Sequence, residues 1–224
     1  GSRVVTVEEI HRIRNDGYLQ LERTEVEKRF GGQWARLAET LAPDALMIES
    51  VTGPNELLDL VHIARRGVPV FCGVQGINLV QTLQSLFSLE IDPFSLVRVV
   101  RLVMHQRLVK LLCPDCRRAV PAVPSFQLAG ESHRERLRLM VREVTFYVPA
   151  GCSRCHETGF SGKMALFDLL PFTPGVQNEI LSDTPMEKRI ARIVEENSQP
   201  VFSSVEDLLR RGMVTFEDVL PFFR

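Results

Sequence analysis

Ala45-Leu-Met-Ile-Glu-Ser50, then Gly53-Pro54 opening a run with Leu57, Leu58, Val61 and Ala64 at helical spacing, then Val68-Pro-Val-Phe-Cys-Gly-Val74: residues 45–74 decide the fold class. The two outer runs are short and mainly continuous apolar stretches, as strands of a parallel sheet are. The run between them has proline at its first position, Glu56 in its first turn and Gly67 as a stop. Strand, helix, strand in that order predicts a βαβ unit and hence an α/β fold with a parallel sheet.

The same pattern extends outward. Arg3 to Glu9 (RVVTVEE) reads as another buried strand, and its C-terminal end carries Glu8 and Glu9. That end of a parallel strand is where α/β proteins bind ligands. Tyr18 to Leu21 alternates after an Asn15-Asp16-Gly17 turn, and Gly32 to Ala42 places Trp34, Leu37, Ala38 and Leu41 on one helical face before Pro43. Strands at 3–8, 45–50 and 68–74 are expected side by side in a sheet domain spanning about residues 3–112. Ile77 to Leu89 predicts a further helix. Asp92-Pro93 predicts the start of a long one running into Cys113, with Arg98, Arg101 and His105 on one stripe. Cys72, inside an apolar run, is expected to be an inert core residue.

Two cysteine pairs follow, Cys113-Pro114-Asp115-Cys116 and Cys152-Ser153-Arg154-Cys155, with 35 residues between them. Two C-x-x-C knuckles supply four thiolates, a tetrahedral shell for a borderline divalent ion such as zinc. With sulfur in all four positions no site is left for a catalytic water, so the metal is expected to be structural. The alternatives are two disulfides or four buried thiols; nothing in the sequence points to export, which favours metal. Pro121 to Pro124 reads as a loop, and Ser132-x-x-Glu135 as the cap of a basic helix ending near Glu143. Val144 to Val148 and Met164 to Leu170 read as strands. Beyond them Thr173-Pro174, Thr184-Pro185, Ser203-x-x-Glu206 and Thr215-x-x-Asp218 mark helix starts.

The totals exclude more than they select. The chain has 224 residues, 45% hydrophobic and 25% charged, with a net charge of −1. Such a balance gives no electrostatic reason to expect nucleic acid as a partner, although Arg134, Arg136, Arg138 and Arg142 cluster between the knuckles. No apolar stretch approaches the roughly 18 residues that cross a bilayer, and no signal peptide is visible. The chain therefore reads as cytoplasmic. No G-x-x-x-x-G-K-[ST] loop occurs; Gly159-Phe-Ser-Gly-Lys-Met164 mimics its tail, but Met164 offers magnesium no oxygen.

In this order the motifs resemble the C-terminal half of type II secretion and type IV pilus assembly ATPases. Arg3-Val-Val-Thr-Val-Glu-Glu9 resembles that family's Asp box, T-I-E-D-P. Gln106-Arg-Leu-Val109, Leu112-Cys-Pro-x-Cys116, Gly151-Cys-x-x-Cys155-x-x-Thr158-Gly-Phe160-x-Gly162 and Gly212-Met-x-Thr215-x-Glu217-Asp-Val-Leu220 are close to its wording elsewhere. The resemblance implies a partial RecA-like P-loop core over 1–112, a tetracysteine zinc module over 113–160 and a mainly helical region over 161–224. It also implies a homohexamer in the full-length form, peripheral to the inner membrane through partners in a secretion or pilus machine at its cytoplasmic face.

The departures fall on the chemistry. The family's Walker B strand, P-D-V-I-M-I-G-E-I-R-D, aligns with Pro43-Asp-Ala-Leu-Met-Ile-Glu-Ser-Val-Thr-Gly53, so Ser50 stands at the catalytic acid, Glu49 one place early, and Thr52 at the arginine. Alternation puts neighbours on opposite faces, so Glu49 replaces the acid only through a bulge or register shift. The family's His box, T-L-H-T-N, falls on Gly73-Val-Gln-Gly-Ile77 with Gln75 at the histidine. Of these motifs Glu8 and Glu9 alone survive, and the Walker A loop would precede Arg3. Losing the acid and the arginine together removes several kcal/mol of transition-state stabilisation. The resemblance thus implies a pseudo-ATPase, with ATP and magnesium not expected in this chain. The alternative is part of an active motor whose Walker A loop lies upstream.

Overall fold

The computed structural model describes residues 3–10, 13–89, 91–120, 144–198 and 202–220. The chain folds into two compact units, Gly1–Val103 with Leu170–Asn197, and Met104–Leu169 with Ser198–Arg224. These cuts differ from the 1–112, 113–160 and 161–224 segments drawn from motifs, because long strands carry the chain from one unit to the other.

Four strands make the sheet of the first unit: β1 (Val4–Glu8), β2 (Tyr18–Glu22), β3 (Ala45–Ile48) and β4 (Val70–Cys72). Their order is β2-β1-β3-β4, and every pairing is parallel. The three strands expected to be neighbours are neighbours, in register from Val4↔Ala45 to Val7↔Ile48 and from Leu46↔Val70 to Ile48↔Cys72. Alternation sends Val5, Val7, Leu46 and Ile48 to one face, each no more than 1% exposed. Helices α1 (Arg23–Phe30), α2 (Trp34–Leu41) and α3 (Pro54–Arg65) cover that face through Phe30, Trp34, Leu37, Leu60 and Ile63. The helix expected at 32–42 is α2; α1, with Gly31 in the left-handed conformation as its stop, was not legible. On the other face Tyr18, Met47 and Phe71 are 46%, 48% and 64% exposed, unusual for a parallel sheet, which is ordinarily covered on both sides. Cys72, at the end of edge strand β4, is exposed rather than in the core, yet burial of its sulfur pushes the thiol up to about 11, in keeping with the inert residue expected.

Helix α4 (Leu79–Phe87) begins at Asn78, whose side chain accepts the Gln81 N–H at 2.8 Å. The helix from Asp92-Pro93 is shorter than expected: α5 spans only Pro93–Val99, and Leu102–Leu112 forms strand β5. Val103, His105, Arg107, Val109 and Leu111 turn inward and the residues between them outward, a period of two. Arg98, Arg101 and His105 therefore share no helical stripe. His105 lies instead 3.7 Å from the Asp168 carboxylate. The chain continues through β6 (Arg118–Val120), antiparallel to β7 (Phe146–Val148), and then β8 (Phe160–Pro171), which pairs with β5. The expected Pro121–Pro124 loop and Ser132–Glu143 helix lie outside the described residues.

Helices α6 (Pro174–Ile180) and α7 (Met186–Asn197) return to the first unit and pack with α4 and α5 around Leu83, Val97, Val176 and Ile190. Helices α8 (Phe202–Arg210) and α9 (Phe216–Val219) belong to the second, where Val205, Leu209, Phe216 and Val219 enclose Phe146 and Leu166. The caps expected at Thr173 and Thr215 accept the N–H of Val176 and Asp218 at 3.3 and 3.1 Å. No helix among the described residues is long and apolar enough to cross a membrane.

Ile48→Ala, a cut into the covered face, should cost about 2–5 kcal/mol, whereas Met47→Ala, one residue away on the open face, should cost less than about 1 kcal/mol. Urea denaturation midpoints of the two variants check the register directly.

Candidate metal centre and strand-end site

Four sulfurs meet in the second unit. The ligand atoms of Cys113, Cys116, Cys152 and Cys155 all lie within 4.8 Å of one another. The Cys113–Cys152, Cys116–Cys155 and Cys152–Cys155 separations are 3.9, 3.8 and 3.7 Å. A tetrahedral ion bound at about 2.3 Å sets its sulfurs roughly 3.8 Å apart, whereas a disulfide needs about 2.05 Å. The cluster fits a divalent ion such as zinc and not two disulfides.

The local sequence explains the shape. Gly151, His156, Glu157 and Gly159 all have positive φ, which bends the chain tightly around Cys155. At Gly159 a Cβ would stand 2.4 Å from Pro149 Cβ, so only glycine fits. The turn aims the N–H groups of Cys152 and Gly159 at the Cys155 sulfur, at 3.3 and 3.1 Å. Burial pushes the Cys155 thiol up, but these N–H dipoles outweigh it and bring it down to about 6. Cys116, where burial dominates, is pushed up to about 11. Thr158 closes the turn by donating its hydroxyl to the Cys155 carbonyl at 2.6 Å. The first knuckle is tied to the second by the Cys113 N–H to the Gly159 carbonyl at 2.9 Å.

At the other candidate site, the C-terminal ends of β1 and β3 stand together. The Glu49 N–H donates to the Val7 carbonyl at 2.9 Å, and the Glu9 N–H donates to the Glu49 carboxylate at 2.7 Å. The register through Ile48 is regular, so Glu49 is exposed at the strand end without a bulge to carry it to the position of Ser50. Glu8 accepts from Thr6 Oγ1 at 3.0 Å and from Gln20 Nε2 at 3.2 Å. Gly73 continues β4, its N–H on the Ile48 carbonyl at 3.0 Å, and a Cβ there would meet the Glu49 carbonyl at 2.0 Å. The structure thus joins Glu9, Glu49 and Ser50, whereas Gln75 lies two residues past Gly73 and is exposed.

Three residues that the motifs did not mark complete this site. Arg23, at the start of α1, places Nε 2.7 Å from Glu9 and Nη2 3.0 Å from Glu56, and donates to the Ser50 carbonyl. Its guanidinium lies 5.4 Å from the centre of the Trp34 ring. Glu56, 9% exposed in the first turn of α3, also accepts the Thr52 N–H and hydroxyl at 2.8 Å each. Burial works against the charge of Arg23, but Glu56 and then Glu9 outweigh it and hold the guanidinium more firmly protonated than usual. A cleft of about 410 Å³ opens beside these groups, lined by Trp34, Gly53 and Asp59 among others. Glu56 had a signal in the sequence, an acid just after Gly53-Pro54; Arg23 had none.

The purified chain should carry one divalent metal ion, measured by elemental analysis, and Cys113→Ser should lose it. Chelation should loosen residues 144–160 first in hydrogen exchange, since metal binding and folding of such knuckles are coupled.

The family model for "Type II/IV secretion system protein" matches residues 2–221. Among curated proteins, the chain is 25% identical over 203 residues to a protein transport protein HofB homolog of Escherichia coli, covering 89% of this chain and 42% of that protein. It is 23% identical over 220 residues to the type II secretion system ATPase E of Vibrio cholerae, covering 97% and 42%. The chain thus spans less than half the length of these relatives. Among solved structures, the Yersinia pseudotuberculosis ATPase DotB superposes with a TM-score of 0.67 at 18% identity, over 98% of this chain and 48% of that one. The pilus retraction motor PilT with bound ADP gives 0.62 at 13% identity, over 99% and 52%. Those likenesses are of fold, and the parallel α/β sheet expected from the sequence agrees with them. The chain belongs to the type II/IV secretion system protein family.

Proposed function

We propose that this chain is a non-hydrolysing member of the secretion ATPase fold, a structural or regulatory component of a secretion or pilus machine. The observation that carries the reading is the strand-end site. Each acid there already has a partner within the chain: Glu8 with Thr6 and Gln20, Glu9 and Glu56 with Arg23, and Glu49 with the Glu9 N–H. Ser50, at the position of the family's acid, offers its carbonyl to Arg23 and brings no carboxylate to magnesium or water. The tetracysteine cluster holds zinc as a structural staple. Its partners are proteins of the machine at the cytoplasmic face of the inner membrane, and the longer form assembles as a hexamer.

A second reading has its own support. Several relatives are named as ATPases and are more than twice as long, which supports reading the chain as part of an active motor whose phosphate-binding loop lies upstream. Magnesium-dependent ATP turnover by the longest natural form of the protein separates the two. The expected rate is background, unchanged by Glu49→Gln, and a variant combining Glu49→Gly, Ser50→Glu, Thr52→Arg and Gln75→His should be needed before any turnover appears, because groups that act as a unit are strongly non-additive. Turnover that falls with Glu49→Gln would overturn the proposal and assign the displaced acid the catalytic role.

A further inference from the structure

We infer that Arg23 is a built-in counter-cation, a positioning residue whose guanidinium takes the place between Glu9 and Glu56 that a divalent cation would otherwise fill. The inference deepens the non-hydrolysing reading and rests on it for its functional meaning, but its geometry stands alone. Glu9 follows β1 and Glu56 opens α3, and the two carboxylates meet on different nitrogens of one side chain, at 2.7 and 3.0 Å. Ser50, following β3, supplies a carbonyl to the same group. Two carboxylates and a carbonyl gathered around one guanidinium are oxygen donors of the kind hard cations take. Here a fixed positive charge from α1 lies against them, in ion-pair contact with both carboxylates. The side chain of Arg23 is 15% exposed and that of Glu56 is 8% exposed, so little water screens the pair. Trp34 backs the guanidinium at 5.4 Å and narrows its freedom to swing away.

Two consequences are separable. The first is mechanical: one guanidinium ties the ends of β1 and β3 to the first turn of α3. The second is electrostatic: a divalent ion approaching Glu9 and Glu56 meets a like charge already paired with both. A purely structural arginine would have the first property without the second.

The chain has a single tryptophan, Trp34, which makes the electrostatic consequence readable. Zinc-loaded protein is titrated with Mn²⁺ while the Trp34 indole N–H resonance is followed, since a paramagnetic ion held between Glu9 and Glu56 broadens it. Wild type should keep a sharp signal. Arg23→Met should lose it, with Mn²⁺ binding at least roughly tenfold tighter than in wild type, and adding Glu9→Gln should restore it. Arg23→Lys keeps the charge and should exclude Mn²⁺ as wild type does. If Arg23→Met does not fold, Arg23→Gln, an uncharged side chain that still donates hydrogen bonds to both carboxylates, takes its place and should lose the Trp34 signal with Mn²⁺ in the same way. Broadening in wild type, or a sharp signal in a folded Arg23→Met or Arg23→Gln variant that keeps both Glu9 and Glu56, would overturn the inference. No nucleotide enters this test. ATP turnover in the longer protein would therefore overturn the proposed function while a sharp wild-type signal left Arg23 in its role.

Discussion

The parallel ladder between β1 and β3 is the constraint on which the strand-end site depends. Four residue pairs in regular register bring Glu8 level with Glu49 and the Glu9 N–H onto the Glu49 carboxylate, and the backbone hydrogen bond from Glu49 to Val7 extends the ladder one step past the last pair. Gly73 does the same on the other side of β3, with no room for a side chain against the Glu49 carbonyl. Once these three chain ends are fixed side by side, α3 can leave only from Gly53, and its first turn delivers Glu56 to the same place. A slip of one residue would turn Val5, Val7, Leu46 and Ile48 out of the core, so burial of the sheet's covered face is what enforces the site's geometry.

The second unit is organised differently. Beside its apolar cluster it holds the sulfur cluster, which sits where β6 and β7 meet the turn around Cys155. Backbone N–H groups are spent on sulfur there, with Cys152 and Gly159 both donating to Cys155. Arg117 fastens the module to the C-terminal helices by donating to the carbonyl of Arg211 at 2.7 Å, with its guanidinium 4.8 Å from the centre of the Tyr147 ring. A metal at the knuckles therefore supports more than its own loop.

What the sequence discloses follows from how local each signal is. The strands at 4–8, 45–48 and 70–72 are readable because a strand buried in a parallel sheet is a continuous apolar run, and the tetracysteine cluster because ligand spacing is a short-range property. The segment 102–112 misleads because Leu, Met, Gln, Arg and Lys favour helices and a sound cap at Asp92 precedes it. Its true period of two rests mainly on Val103 and Val109. Arg23 is invisible for another reason: Glu9, Ser50 and Glu56 lie 14, 27 and 33 positions from it, and only the sheet brings them together.

The open face of the sheet bears on how this unit melts. Heat capacity and denaturant sensitivity of unfolding both grow with apolar surface that is dry in the native state and wet afterwards. Tyr18, Met47 and Phe71 are already about half or more wetted before unfolding begins, so they add little to either quantity. With these side chains exposed, the sheet unit unfolds along a shallower denaturant slope, and with a flatter stability curve, than the same sheet would with them buried.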